Sequence, residues 1–328
     1  MAWCRRVALT AVVLVLACTG AIAETSGRVY RVGLLSPGPP MPDPTIEIAA
    51  LAGGFAKRGY KLGHNLAFER RWARGDVGLL PGLADELASS QVDVIVTFGF
   101  PAALAAKQRS SVVPIVVTRS GDPVATGLVA SLARPGGNLT GISDVATELS
   151  TKRLELLKET VPALRRIAFL WNADDLGMTL RYRAAEAEAK RLGIVVQSLG
   201  VREPDDFAAA FETMRSERPD AIVMVTDVLT LLNRKRVYEF AAVHRIPAIF
   251  EHDQLVRDGG LFSYGPDLNE VYDRAADLVV RIIGGAQPAD LPLEQPSRIR
   301  FVVNLKTAKA QGLTIPESIL LRADEVIE

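Results

Sequence analysis

Short apolar runs alternate with longer segments of helical period along this chain. Most runs are apolar at successive rather than alternate positions, which is typical of strands covered on both faces. They cover residues 29–35, 65–72, 92–98, 114–118, 166–171, 194–200, 220–226, 247–251 and 260–264. Between two of them, Leu154, Leu157, Val161 and Leu164 recur every three or four residues and form one apolar helical stripe. This order predicts an α/β fold class with doubly wound parallel sheets.

A stretch rich in glycine and proline, residues 118–144, divides the runs into two groups. We therefore expect two Rossmann-like, doubly wound lobes, with this stretch crossing between them. After residue 264 the chain continues with a helical segment and a proline-spaced segment, which predict further crossings and a multi-strand hinge that permits closure. The predicted N-terminal lobe covers 28–120 plus about 267–290, the C-terminal lobe covers about 144–264 plus about 300–328, and the hinge crossings lie near 119–144, 251–267 and 286–302.

The N-terminus has the order of a secretory signal peptide. Arg5 and Arg6 precede an apolar run over residues 7–17, and small residues end at Ala23. We expect residues 1–23 to be removed and the mature protein to reach the periplasm. An alternative is a lipid tether at Cys18, because the residues before it resemble a lipoprotein cleavage site.

The positions of the cysteines and the balance of charges limit the classes of protein to which this chain can belong. Both cysteines, Cys4 and Cys18, lie in the predicted leader, so the mature chain would contain no disulfide. The chain carries 38 basic and 38 acidic residues without a basic stripe, which argues against a nucleic-acid partner. Its length suffices for two lobes of ordinary size, and we expect a monomer.

Several phrases of the sequence resemble one family. They cover residues 70–76, 121–144, 153–162, 259–265 and 285–328. Together they resemble the ABC transporter substrate-binding protein family of the tryptophan-operon-linked type. The resemblance implies a type I periplasmic binding protein fold, with two lobes, a three-strand hinge and a ligand enclosed between the lobes. Some members of this family hold aromatic amino acids.

The motifs of common enzyme classes are missing or broken. Gly33 and Gly38 have the glycine spacing of a P-loop, but Pro39 and Pro40 stand where lysine and serine or threonine are required. The sequence contains no G-x-G-x-x-G after a strand, and Ser263 lacks the first glycine of a hydrolase elbow. We therefore expect no enzyme and no cofactor.

The three histidines also give no catalytic or metal-binding pattern. His64, His244 and His252 are not paired at helical spacing, so no metal site is predicted. His244 is typical of a solvated cation at a helix end, whereas His252 follows a strand and is a candidate to line a cleft.

Ligands of open α/β sheets bind beyond the carboxyl ends of the strands, which directs attention to the residues there. Ser36 ends the first strand, and Thr97, Gly99, Phe100 and Pro101 follow the third. A helix beginning near Pro101 would offer unpaired N–H groups to a ligand carboxylate. The alternative is that Gly99 and Pro101 only make a tight turn and a helix cap.

Carboxylates recur at the same kind of position in both predicted lobes. Ser120 and Asp122 follow the fourth strand, Asp144 opens the second lobe, and Asp227 and Glu251 follow later strands. Each aspartate alone is more often a cap or turn residue. Their recurrence favours a shared role, and the resemblance implies that Asp122 and Asp227 contact a ligand ammonium or hydroxyl.

Aromatic residues near strand ends are further candidates for walls of the cleft. Trp171 with the neighbouring amide of Asn172, and Tyr264 with its ring and hydroxyl, combine stacking with orientation. Phe98 and Phe250 are more typical of core packing.

These patterns favour an exported, non-catalytic solute-binding component of an ABC importer. It would capture a small organic ligand, with an amino acid among the candidates, and pass it to an ABC permease in the inner membrane. The alternative is a periplasmic ligand sensor that docks on a membrane receptor, because the same lobe closure would serve signalling.

Overall fold

The computed structural model describes residues 27–40 and 45–328 of the 328-residue chain. The predicted leader, with Cys18, lies outside the described residues. The strands are β1 Tyr30–Ser36, β2 Leu66–Trp72, β3 Val94–Phe98, β4 Ile115–Thr118, β5 Leu139–Gly141, β6 Arg166–Asn172, β7 Val195–Val201, β8 Ala221–Met224, β9 Ala248–Phe250, β10 Phe262–Pro266, β11 Ile299–Asn304 and β12 Glu325–Ile327. They form two separate sheets.

Helices alternate with the strands along most of the chain. They are α1 Ile46–Lys57, α2 Leu80–Ser89, α3 Phe100–Arg109, α4 Ala146–Thr160, α5 Leu176–Arg191, α6 Asp206–Ser216, α7 Val228–Leu232, α8 Arg234–His244, α9 Asp253–Arg257, α10 Leu268–Ile283, α11 Leu305–Gln311 and α12 Glu317–Leu320. Short 3-10 turns cover Val77–Leu79 and Pro288–Asp290. No helix of the described ranges is both long and apolar enough to cross a membrane.

The first sheet has five parallel strands in the order β2-β1-β3-β4-β5. Helices α1 and α10 cover one face, where Phe55 and Tyr272 are fully buried, and α2 and α3 cover the other. Strands β3 and β4 are buried at every position because helices lie on both faces.

The second sheet has seven strands in the order β12-β11-β10-β9-β8-β6-β7. Its pairs are parallel except for β10 and β11, which run antiparallel. One face packs against α4, α5, α11 and α12, and the other against α6, α8 and α9. The prediction of two α/β lobes built on parallel sheets is therefore confirmed.

The described chain passes between the sheets at three places. It leaves the first sheet after β5, returns from β10 into α10, and passes again into β11. Ile142 forms a bridge with Glu294, and the Ser143 N–H donates to the Glu294 carbonyl at 2.9 Å. Two of the crossing segments thus lie side by side, while the lobe boundaries given above stay a prediction.

Candidate ligand-binding cleft

A cavity of about 500 Å³ lies between the two lobes, at the carboxyl ends of both sheets. Such a volume lies in the range of small-molecule sites. The first lobe contributes Ser36, Phe98, Gly99, Phe100, Pro101 and Arg119 among others, and the second contributes Asn172, Asp175, Met178, Thr226, Asp227 and His252 among others. A ligand in this cavity would therefore touch both lobes at once.

Helix α3 points its N-terminus at the cavity. Gly99 precedes it with φ 86°, a conformation that glycine adopts without steric cost, and its N–H donates to the Thr118 carbonyl at 2.9 Å. The first N–H groups of a helix have no intrahelical acceptor, and Pro101 has no N–H. The donors of the first turn are therefore those of Phe100 and Ala102, which can bind an anion.

Asp227 serves as a helix cap and as a cavity wall. One carboxylate oxygen accepts a hydrogen bond from the Thr230 N–H at 2.9 Å, and the other accepts from Nδ2 of Asn172 at 2.5 Å. These bonds fix the carboxylate at the cavity surface. The cap and site interpretations of Asp227 are thus compatible.

Asp175 lines the same wall and was not singled out from the sequence. It caps α5 by accepting from the Met178 N–H at 3.2 Å, and it is buried. Burial and the nearby charge of Asp227 raise the pKa of Asp175 to about 6, against the opposing effects of the Met178 N–H and Arg181. Two carboxylates at one wall favour a cationic group of a ligand.

Arg119 and His252 also line the cavity. Arg119 was not singled out from the sequence, whereas His252 was a candidate to line a cleft because it follows a strand. His252 is buried, and its Nδ1 has no hydrogen-bond partner among the described residues. Burial and the neighbouring Arg119 hold the pKa of His252 well below its ordinary value, although Glu251 opposes this. The imidazole is therefore neutral at physiological pH.

Asp144 and Glu251 lie behind the cavity in a buried ion network. Arg181 donates to Asp144 and, at 2.7 Å, to Glu251. Arg153 donates to the other oxygen of Glu251 at 3.2 Å and to the Tyr264 carbonyl at 2.7 Å. Neither carboxylate is among the residues that line the cavity, and each forms an ion pair with an arginine.

Two members of this network, Glu251 and Arg181, are held in their charged forms. Burial opposes the charge of Glu251, but Arg181 and Arg153 outweigh it and hold the pKa of Glu251 at about 2. Burial likewise opposes the charge of Arg181, whose pKa is nevertheless raised by Asp144 and Glu251. Because Arg153 and Arg181 come from α4 and α5, the network ties these helices to the segments behind the cleft.

Three more candidates lie at strand ends but outside the cavity wall. Thr97 and Ser120 are fully buried, and their hydroxyls have no hydrogen-bond partner in the described part of the chain. Asp122 accepts hydrogen bonds from the Val124 and Ala125 N–H groups, both at 3.0 Å, so its carboxylate stabilises its own turn.

The two aromatic candidates pack into the second lobe. The Trp171 ring stacks on Tyr182 with a centroid separation of 4.7 Å, and the Tyr264 ring meets Phe301 edge-on at 6.2 Å. Neither lines the cavity. Asn172, the residue after Trp171, does.

The described residues, 27–40 and 45–328, contain no group of three or more histidine, cysteine, aspartate or glutamate side chains arranged to hold a metal ion.

A family model described as "ABC transporter substrate binding protein" matches residues 47–327. The chain belongs to this family. It is therefore a substrate-binding protein of the ABC transporter type, with an interlobe site for a small molecule, and the resemblance noted from the sequence is confirmed. Members of this class bind their ligands outside the cytoplasm without transforming them.

Named relatives of this substrate-binding protein include an amino-acid binder. A "Tyrosine-binding protein" from Clostridioides difficile (strain R20291) is 27% identical over 279 residues, which cover 83% of this chain and 80% of the relative. An ABC domain from Streptococcus pneumoniae in complex with L-Trp is 26% identical, with a TM-score of 0.83 and coverage of 91% of this chain and 100% of that one.

A third relative was solved without a ligand. This open form of a substrate-binding protein with adhesive properties, from Clostridium difficile, is 25% identical, with coverage of 92% of this chain and 99% of that one. Its TM-score is 0.66, against 0.83 for the L-Trp complex at nearly the same identity. The present structure thus superposes better on the ligand-bound relative than on the ligand-free one.

Proposed function

We propose that this protein captures an α-amino acid with an apolar or aromatic side chain in the periplasm and delivers it to an ABC permease. The single observation that carries the proposal is the charge arrangement of the cavity. An anion-binding helix terminus faces it from the first lobe, and a pair of carboxylates faces it from the second. A zwitterionic amino acid has a carboxylate for the helix terminus and an ammonium for the pair of carboxylates.

The ligand carboxylate would accept hydrogen bonds from the Phe100 and Ala102 N–H groups at the start of α3. Its ammonium would lie against Asp227 and Asp175. Asp175 replaces Asp122 in this assignment, because the Asp122 carboxylate is engaged in its own turn. A cation between two carboxylates also relieves the repulsion that raises the pKa of Asp175.

The remaining cavity wall is mostly apolar and suits a hydrocarbon or aromatic side chain. Phe98, Phe100, Met178, Leu231 and Leu268 all contribute to it. Apolar walls with a few placed polar groups are typical of small-molecule sites. The relatives named for tyrosine and solved with L-Trp support a ligand of this class.

Ligand binding would be coupled to closure of the lobes. Gly177, in α5 of the second lobe, lies so close to the first lobe that a Cβ added to it would be 3.5 Å from Cβ of Phe100 and 3.8 Å from the Ser120 carbonyl oxygen. Closure is favoured only by a ligand that binds the closed form better, and a ligand touching both lobes meets this condition.

The proposed function also includes export of the protein and a membrane partner. Residues 1–23 would direct export and be removed, leaving a monomer free in the periplasm, and a tether at Cys18 is the alternative form. A permease is the partner that membership of the family favours over a sensory receptor. The proposal includes no catalytic step.

Native mass spectrometry and a thermal-shift screen of the 20 common L-amino acids test this function. We expect a co-purified amino acid or, after its removal by unfolding and refolding, a rise in melting temperature with one or more aromatic or large apolar amino acids. Sugars and polyols are the matched control, and we expect no shift with them. Stabilisation by a sugar alone would contradict the proposal.

A further inference from the structure

Arg119 is an unpaired cation at the cavity wall. We propose that Arg119, assisted by His252, supplies the charge that recognises the ligand carboxylate, so that the protein selects acids over the corresponding amines. The inference deepens the proposed function and rests on it for the ligand's size and side chain. Arg119 from the first lobe and His252 from the second would thus determine specificity together with the backbone donors of α3.

The backbone holds Arg119 beside the start of α3. Strands β3 and β4 are paired with Phe98 opposite Thr118, and the Gly99 N–H donates to the Thr118 carbonyl at 2.9 Å. Arg119 and the first turn of α3 are therefore neighbours at the sheet edge. Arg119 has φ 55°, which non-glycine residues adopt infrequently and which is often found at functional sites.

No carboxylate lies within ion-pair distance of Arg119 in the described ranges. Its guanidinium lies beside the buried hydroxyl of Tyr272, without hydrogen-bond geometry, and Glu47 is a more distant negative charge. Another arginine of the same wall, Arg234, is paired with Asp258 at 2.5 Å. A guanidinium facing an enclosed cavity without such a partner is suited to bind a carboxylate from the ligand.

His252 and Thr226 offer matching groups from the second lobe. Both residues line the cavity. Nδ1 of His252 and the hydroxyl oxygen of Thr226 are buried and have no hydrogen-bond partner among the described residues. A neutral imidazole can donate from one ring nitrogen. A carboxylate held by Arg119 could accept from His252 or Thr226 when the lobes close, which would join the two lobes through the ligand.

The protein selects acids over amines because leaving these polar groups unpaired costs binding free energy. A ligand without a carboxylate would exclude water from the cavity and leave the Arg119 charge without a partner. A site built to bind a charged group rejects an analogue that lacks it far more strongly than an apolar pocket rejects a missing methylene. The cavity should therefore discriminate against decarboxylated analogues.

Titration calorimetry with three probes tests the inference: L-tryptophan, tryptamine, which lacks the carboxylate, and indole-3-propionate, which lacks the ammonium. Arg119→Asn is the decisive variant, because asparagine tolerates positive φ and preserves the backbone. We expect it to weaken binding of L-tryptophan and indole-3-propionate by about 10- to 100-fold, as for loss of a charged hydrogen bond. Binding of tryptamine should become tighter, because the variant no longer leaves an unpaired Arg119 charge beside it. The melting temperature of the variant should stay close to that of the wild type.

Arg234→Gln is the matched control, because it removes a paired cation from the same wall. We expect this variant to keep the wild-type preference for acids over amines. Binding of indole-3-propionate with Arg119 dependence but no preference for L-tryptophan would contradict the amino-acid function and support the role of Arg119. Unchanged preference in Arg119→Asn would overturn the inference and leave the amino-acid function standing. Binding of none of the three probes, together with no thermal shift for any other aromatic or large apolar amino acid, would overturn both.

Discussion

Arg181 donates a hydrogen bond to Oε2 of Glu251 at 2.7 Å, and the two side chains are 5% and 2% exposed. The same Glu251 oxygen accepts from the Thr226 N–H at 2.7 Å. Thr226 lines the cavity, so this ion pair supports the cleft wall from behind. Its role is structural, in contrast to the ligand contact expected for Glu251 from the sequence.

Glu251→Gln should destabilise the fold strongly. Removing one partner of a buried ion pair leaves uncompensated charge and costs about 3–5 kcal/mol. We expect a loss of this size in chemical denaturation at neutral pH. Glu217→Gln is the control, because its pair with Arg166 is largely exposed and contributes less than about 1 kcal/mol. Equal effects of the two variants would contradict the structural role.

The ion pair between Glu251 and Arg181 also predicts that the folded protein loses stability in acid. The folded pKa of Glu251 is about 2, below its ordinary value of 4.5, so its stabilising effect is present above about pH 4.5 and is lost as pH falls toward 2. Glu251→Gln should flatten this part of the stability-versus-pH curve. An identical curve for wild type and variant between these pH values would exclude Glu251 as the cause.

Asp175→Asn should make the protein more stable and bind its ligand more weakly. The folded pKa of Asp175 is about 6, above its ordinary 3.8, so the wild type loses stability as pH rises from about 4 to about 6. Asparagine caps helices equally well but carries no charge. We expect a gain of about 1–3 kcal/mol at pH 7.5 and little at pH 3.5.

For the ligand, Asp175→Asn should abolish the part of the affinity that rises with pH through about 6 in the wild type, because only the ionised carboxylate attracts an ammonium. Calorimetry at pH 5 and pH 7.5 measures the stability and the ligand affinity of the wild type and of the variant. A stabilised variant with wild-type affinity at both pH values would leave Asp175 as a helix cap alone.

Gly177→Leu should prevent full closure. A side chain at this position would meet Phe100 of the first lobe, and its Cβ would also lie 3.1 Å from Oδ1 of Asp175 in its own lobe. We expect small-angle scattering to show a decrease in radius of gyration with ligand for the wild type and a smaller decrease for the variant, with weaker binding. Gly53→Leu is the control, because a Cβ at Gly53 meets nothing within 4 Å. Normal closure of Gly177→Leu would contradict the assigned contact.

The sequence predicted the architecture well because burial on both faces leaves a local signal. The nine predicted runs correspond to β1–β4 and β6–β10. Strands β5, β11 and β12 were not predicted, since β5 and β12 have three residues each and β11 lies in the proline-spaced tail. Such short strands form because a neighbouring strand is already in place, which a local pattern does not reveal.

The candidate site was predicted less completely, because it depends on which side chains face the cavity. Alternate residues of β6 point to opposite faces, so Ile167, Phe169 and Trp171 share one core cluster. The sequence could not show that Trp171 belongs to that face. Nor could it reveal the pairing of Glu251 with Arg153 and Arg181, which lie 98 and 70 residues away.

Calorimetric titration of Asp227→Asn with L-tryptophan or L-tyrosine tests the central claim most directly. Asparagine can retain the cap of α7, so the fold should persist while the ammonium loses its charged partner. We expect the dissociation constant to rise by about 10- to 100-fold. Asp122→Asn, at the turn outside the cavity wall, should bind like the wild type. Wild-type affinity in Asp227→Asn, or a loss confined to Asp122→Asn, would contradict a zwitterion-binding cleft of this geometry.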